Sequence, residues 1–130
     1  MINLRIEDKK HRFWLEYSLD KSNGILSFYL QNIFVDDAFR DNGLAKRMIY
    51  TVWRIIEIHK INYYIVKVIS PIIESIITKY YKYNKITNYT YLITGILDPV
   101  YTESILSIFL PIFNSIEQYI KKNDTPPVSE

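Results

Sequence analysis

Cysteine is absent from this sequence of 130 residues. Disulfide bonds, thiolate nucleophiles and the usual structural zinc sites are therefore excluded. Net charge is also small, because 16 Lys and Arg residues nearly balance 14 Asp and Glu residues and leave a formal charge of +2. Such a charge does not by itself indicate a nucleic-acid-binding protein, so we regard nucleic acid as an unlikely partner.

Long apolar runs are missing as well. No stretch approaches the roughly 18 apolar residues of a membrane span, and the N-terminal residues do not have the pattern of a signal peptide. These observations predict a soluble cytoplasmic protein with no membrane partner. The length fits a single domain over residues 1–122, and the proline-containing residues 123–130 are expected to form a disordered tail.

Alternation of apolar and polar residues predicts strands in the first part of the chain. The predicted strands are Ile2 to Ile6, His11 to Leu19 and Ile25 to Val35. A loop of turn-forming residues at 20–24 makes the second and third strands a hairpin. The third strand is long and largely apolar, which is typical of a central strand covered on both faces.

The period then changes to that of a helix between Asp41 and Lys60, with the helix starting near Gly43. A β-rich run from Tyr63 to Ile69 follows. Ser70 and Pro71 supply an N-cap and a first-turn proline for a second helix that is predicted to end near Lys82. A strand, a helix and a strand in this order predict a parallel pair of neighbouring strands.

The last part of the chain is predicted to contain one more strand, Thr87 to Thr94, and a third helix. That helix runs from about Tyr101 to Lys122, with Asp98 as its N-cap and a kink at Pro111. It is apolar on most sides, more than one packing face needs. Burial across the sheet and a homodimer interface both explain this composition.

The junction between the central strand and the first helix carries the most informative motif. Residues 35–45 read V-D-D-A-F-R-D-N-G-L-A and resemble motif A of the GNAT superfamily of acyl-CoA-dependent N-acyltransferases. The matching positions are Val35, Arg40, Gly43 and Ala45. The chain is most similar to the short, single-domain members of that superfamily, which lack the helices between the first two strands.

This resemblance implies a binding site for acetyl-CoA as co-substrate. Glycine and a small residue let the helix start approach the pyrophosphate, whose oxygens accept hydrogen bonds from successive N–H groups. The implied cofactor-binding residues are Phe34, Val35, Arg40, Asp41, Asn42, Gly43, Leu44, Ala45, Lys46 and Arg47. The backbone of Phe34 and Val35 is expected to bond the pantetheine arm, while Arg40, Lys46 and Arg47 would add positive charge.

The resemblance also indicates residues for catalysis. Y-K-Y-N-K-I at 81–86 is similar to the family's tyrosine-containing pattern, which implies that Tyr81 is a candidate general acid for the leaving thiolate, with Tyr80 as its rival. Asn32 occupies a position where short family members usually carry His. Because this departure weakens the case for a base, the alternative to an N-acetyltransferase acting on an unidentified amine is an inactive GNAT-fold module that binds or dimerises through 101–122.

Other chemistry finds little support in the sequence. His11 and His59 lack a second ligand at metal-binding spacing, so no metal site is predicted. The cations Lys46, Arg47, Arg54, Lys79, Lys82 and Lys85 leave nucleic-acid contact as a weaker option. The predicted fold is therefore α/β (α+β): a GNAT-like mixed, mainly antiparallel sheet with one splayed parallel strand pair, flanked by helices, plus an apolar C-terminal helix.

Overall fold

A computed structural model describes residues 2–8, 13–35, 43–97, 114–119 and 121 of the chain. Within these ranges the fold is α+β, with six strands in one mixed sheet. The elements in chain order are β1 (Ile2–Asp8), β2 (Phe13–Ser22), β3 (Ile25–Val35), α1 (Leu44–Ile58), β4 (Tyr63–Lys67), α2 (Pro71–Tyr80), β5 (Tyr81–Thr87) and β6 (Thr90–Ile96). Residues 114–119 are also helical.

The strands lie in the order β1-β2-β3-β4-β6-β5. Neighbouring strands are antiparallel except β3 and β4, which are parallel. The predicted mixed, mainly antiparallel sheet with one parallel pair is confirmed. Since β4 and β5 are both antiparallel to β6, the strands that precede α1, follow it and follow α2 all run in one direction.

The hairpin between β2 and β3 closes with a two-residue turn at Asn23 and Gly24. Both residues have positive φ, 54° and 79°, which Asn-Gly adopts readily and which matches the twist of the flanking strands. Pairing consequently continues to Ser22 opposite Ile25. The second strand is therefore longer than predicted, whereas the bounds of the third are as predicted.

Both predicted helices after the central strand are present. Ser70 caps α2 by accepting a hydrogen bond from the backbone N–H of Ile72 at 3.2 Å, and Pro71 occupies the first turn. This cap follows from the Ser-Pro pair in the sequence, since the hydroxyl satisfies an N–H that the helix leaves without a partner.

The predicted end of the second helix is wrong. Helix α2 stops at Tyr80, and Tyr81 begins a strand that the sequence did not predict. The expected strand from Thr87 to Thr94 is instead the second arm of a hairpin, with its turn at 88–89. Pairing with β6 favours the extended form, and the stacking of Tyr83 on Tyr91, with ring centres 5.2 Å apart, adds to it.

Among the described residues, the hydrophobic core lies on one face of the sheet. Alternate residues of the strands point to this face, and they form one cluster with the buried side chains of the helices. Its largest fully buried members are Tyr17, Tyr64, Tyr91, Phe13 and Phe28. The prediction that the central strand is covered on both faces is therefore wrong for the described residues.

The opposite side of the sheet, called here the open face, carries mostly half-exposed and exposed side chains, although Ser18 and Ser27 on this side are buried. The half-exposed and exposed side chains include Arg5, Trp14, Glu16, Asn32 and Phe34. Trp14 and Phe34 stack across β2 and β3 with ring centres 5.6 Å apart, and the Arg5 guanidinium lies 4.3 Å from the centre of the Trp14 ring. Aromatic surface thus stays accessible beside β3.

The helical residues 114–119 pack on the core face. Ile116 is fully buried, and the hydroxyls of Tyr17 and Ser115 lie within hydrogen-bond distance at 2.6 Å. Burial across the sheet, one of the two explanations for the apolar C-terminal helix, is therefore observed for this part. The predicted cap at Asp98, the kink at Pro111, most of the proposed dimer interface and the tail fall outside the described residues.

Candidate functional site

Strand β3, in the middle of the sheet, contains a β-bulge at Gln31. Glu16 is paired with Asn32 and Tyr17 with Leu30, so Gln31 has no register partner in β2. The parallel pairs between β3 and β4 stop at Leu30 opposite Val66, one residue before the bulge. Strand β4 ends at Lys67, so the residues of β3 that follow the bulge extend past the end of their parallel neighbour.

Two adjoining cavities lie beside the end of β3. The first, of about 200 Å³, is lined by Leu30, Asn32, Ile33, Lys67, Ile69, Ser70 and Ile73. The second, of about 180 Å³, is lined by Ile33, Phe34, Val35, Ala45, Ser70, Ile72 and Ile73. They share three lining residues and therefore adjoin each other; the two cavities together are called here the cleft, which lies between the end of β3 and the two helices.

Helix α1 begins at the edge of this cleft. Its N-cap is Gly43, with φ 68° and ψ 21°, a left-handed conformation that strains any side chain-bearing residue. Among the described residues no side chain caps the helix, and its first turn contains no acidic residue. Ala45 in the first turn lines the cleft. The N–H groups at a helix start are suited to an anion.

Helix α2 begins at the same cleft. Ser70, its N-cap, lines both cavities, as does Ile73 one turn later. The start of each helix is thus placed by the strand before it, since β3 and β4 are parallel and end at the same side of the sheet. The sequence identified Ser70 only as a cap and gave no sign that it faces a cleft.

The two helices also meet away from the cleft, through a cluster of cations around Tyr80. The Lys46 ammonium nitrogen lies 3.8 Å from the centre of the Tyr80 ring, and that of Lys79 lies 5.3 Å away. The hydrogen bond with Lys46 is the largest cause of a lowered pKa for Tyr80, and Lys79 acts in the same direction. Tyr80 is therefore a stronger acid than an ordinary tyrosine.

Tyr81 occupies a different environment. Its side chain is 3% exposed and belongs to the core cluster. It lies close enough to Tyr64 to contribute to the raised pKa of that residue, of which burial is the larger cause. Neither Tyr80 nor Tyr81 lines the two cavities of the cleft.

Most residues of the predicted cofactor site that lie in the described ranges are close to one another. Phe34, Val35 and Ala45 line one cavity, Asn32 lines the other, and Gly43 starts the adjacent helix. Lys46 and Arg47 lie in the first turn of that helix. Arg40, Asp41 and Asn42, and the side chain of Leu44, are outside the described residues. Sequence reasoning missed Gln31, Lys67 and Ile73.

In the described ranges no three His, Asp or Glu side chains form a group that could hold a metal ion. The helices in those ranges are too short or too polar to cross a membrane. Comparisons with protein-family models, with curated proteins and with solved structures find no match for this chain.

Proposed function

We propose that this protein binds acetyl-CoA in the cleft at the end of β3 and transfers the acetyl group to an amine. One observation supports the proposal: this cleft is bordered by a helix start with a left-handed glycine and a small first-turn residue. Gly43 and Ala45 are also the positions that resemble the acyl-CoA motif.

The pantetheine arm would lie along the end of β3. This arm is a thin chain with two amide groups, and β3 has register partners in β4 only as far as Leu30. Backbone groups near Phe34 and Val35 could therefore bond the arm as a neighbouring strand would. The apolar side chains of Ile33 and Ile73 would pack against its methylene groups.

The pyrophosphate would lie at the start of α1. Gly43 removes the side chain that would block its approach, and Ala45 keeps the first turn narrow. Lys46 and Arg47 add positive charge on the same turn. The Tyr80 ring packs against Lys46 and limits where its ammonium group can lie.

The reaction is a direct transfer. An alkylammonium first loses a proton to solvent, and its nitrogen then attacks the thioester carbonyl carbon. Collapse of the tetrahedral intermediate breaks the carbon–sulfur bond, and the departing thiolate takes up a proton as the nitrogen gives up its second one. The products are an N-acetyl amide, coenzyme A and one released proton. Orientation of the two substrates would supply most of the rate.

Tyr80 suits the role of general acid better than Tyr81. Its side chain is half-exposed and its pKa is lowered by Lys46, whereas Tyr81 is buried in the core. A phenol with a lowered pKa transfers its proton more readily to a thiolate. Tyr80 also contacts Lys46, the residue that follows Ala45. It does not line the two cavities of the cleft, so the comparison with Tyr81 rests on exposure and on the lowered pKa.

Thermal unfolding with acetyl-CoA tests the binding step. At about 100 times its dissociation constant, the ligand should raise the melting temperature by about 5–10 °C. Ala45→Trp should abolish the rise because the indole would fill the cleft. Arg54→Trp is the matched control, since it puts the same side chain on an exposed position of α1. It should keep the full rise.

Release of free thiol from acetyl-CoA in the presence of a panel of amines tests the transfer step. No thermal shift at millimolar acetyl-CoA would refute the proposal as a whole. A shift that Ala45→Trp removes, without thiol release for any amine, would identify instead an acyl-CoA-binding module that lacks catalysis.

A further inference from the structure

The open face beside the cleft contains a carboxylate next to a cleft residue. Glu16 on β2 is the register partner of Asn32 on β3, and both are half-buried. Side chains of such cross-strand partners extend from Cβ atoms only about 5 Å apart. Asn32 also lines the first cavity. One residue thus separates the Glu16 carboxylate from the cleft.

The Glu16 carboxylate is available to a ligand. Its register partner in β1 is Arg5, but the guanidinium of Arg5 lies over the Trp14 ring instead. Within the described part of the chain, the Glu16 carboxylate takes part in no side-chain hydrogen bond or ion pair. A half-buried carboxylate without a partner favours a cation.

An aromatic wall stands next to this carboxylate. Trp14 and Phe34 stack with ring planes 14° apart, and Phe34 remains 39% exposed. Because Arg5 lies over the Trp14 ring, Phe34 presents the more accessible ring, and it also lines the second cavity. A flat apolar group could pack on Phe34 while a charge attached to it reaches Glu16.

From this arrangement we infer that the open face at Glu16, Asn32 and Phe34 is the acceptor site and that it selects a primary alkylammonium carrying an aromatic group. The inference rests on the proposed function for the role of the amine, but amine binding can be measured without acetyl-CoA. The Glu16 carboxylate forms an ion pair with the ammonium, and the Phe34 ring packs against the aromatic group. Asn32 lies between the amine site and the cleft that would contain the thioester.

Tryptophan fluorescence can report this binding directly. The chain has two tryptophans, so Trp53→Phe leaves Trp14 as the only one, in contact with Phe34. In that background phenethylamine should change the emission saturably. Phenethyl alcohol, which has nearly the same shape but no charge, should bind about tenfold or more weakly, since a hydrogen bond to a charged group is lost.

Glu16→Gln should weaken phenethylamine binding by about tenfold and leave the alcohol unaffected. Glu57→Gln, at an exposed position on α1, is the matched control and should change neither. Phe34→Leu should weaken binding of both compounds. Equal binding of amine and alcohol, or equal amine binding by wild type and Glu16→Gln, would overturn the inference.

The two proposals fail in different ways. If acetyl-CoA gives no thermal shift but phenethylamine binds in a Glu16-dependent manner, the amine site stands and the transferase proposal falls. If acetyl-CoA binds and is turned over, Glu16→Gln should raise the KM for phenethylamine about tenfold with an unchanged acetyl-CoA dissociation constant. An unchanged KM would refute the acceptor site alone.

Discussion

The ammonium nitrogen of Lys46 lies 3.8 Å from the centre of the Tyr80 ring, and this contact joins the first turn of α1 to the last residue of α2. It connects the helix that starts at the proposed cofactor site with the tyrosine whose pKa is lowered. If Lys46 binds the phosphate when the cofactor is present and lowers the pKa of Tyr80 when it is not, cofactor binding would change the acidity of Tyr80.

Lys46→Met should raise the pKa of Tyr80 towards its ordinary value, because it removes the largest cause of the lowering. The measurement is an NMR titration of ring carbons in tyrosine-labelled protein. Lys82→Met, at an exposed position of strand β5, is the control and should leave the titration of Tyr80 unchanged. A wild-type Tyr80 that already titrates at its ordinary pKa would contradict the expectation.

The same contact should affect stability only at alkaline pH. A group whose pKa is lower in the folded state stabilises that state above its ordinary pKa, which is 10.0 for tyrosine. This contribution is lost as the pH falls through the lowered pKa of the folded state. At neutral pH the phenol is protonated in both states. The difference in the free energy of unfolding between wild type and Tyr80→Phe should therefore increase only at alkaline pH.

Tyr80→Phe and Tyr81→Phe should separate the two candidate acids. Removal of the Tyr80 hydroxyl is expected to lower kcat by about tenfold to a hundredfold, since it deletes a proton donor. Tyr81→Phe should change stability more than kcat because its ring is buried. Steady-state thiol release and thermal unfolding of both variants provide the measurements. A selective loss of kcat in Tyr81→Phe would reverse the assignment.

Deletion of Gln31 should close the cleft without changing which face each side chain occupies. Leu30 and Asn32 would become neighbours, and every other pair between β2 and β3 would keep its register. The strand would lose the bend that a bulge introduces. We expect a folded protein whose thermal shift with acetyl-CoA is lost. Gln31→Ala, which keeps the bulge, should retain that shift.

Ser115→Ala should destabilise the protein by about 1 kcal/mol, because Tyr17 loses its hydrogen-bond partner in a partly buried position. Ile116→Ala should cost more, about 2–5 kcal/mol, since it leaves a cavity in the core. Gln118→Ala, on an exposed position of the same helical segment, is the control. Denaturant unfolding measures all three, and equal stabilities would show that the segment does not dock on the sheet.

Local signals in the sequence predicted a large part of the fold. The Ser70-Pro71 pair and the Asn23-Gly24 pair each determine a cap or a turn through their own side chains and backbone, so their outcome needs no distant partner. The long central strand and the helix after it were also predicted from periodicity. The helix start that was predicted near Gly43 is also confirmed.

Features that depend on distant parts of the chain could not be predicted. The residues from Tyr81 onward continue a helical pattern, and only pairing with β6 makes them a strand. The bulge at Gln31 arises because two consecutive residues of β2 are aligned with three residues of β3. This mismatch exists only when the two strands are paired, so neither strand shows it alone. The cleft was missed for the same reason, as its lining comes from β3, β4 and both helices.

The starts of α1 and α2 lie on one small cavity, through Ala45 and Ser70. Each start carries about half a positive charge from the aligned peptide dipoles, so two like poles are held close together. Of the two helices, only α2 has an acidic residue in its first turn, Glu74, which offsets the positive charge of its start. Repulsion between the two helix starts would destabilise the folded state, and an anion bound between them would reduce that repulsion. Resistance to unfolding should therefore depend on the phosphate or sulfate content of the buffer, even where no acyl group is transferred.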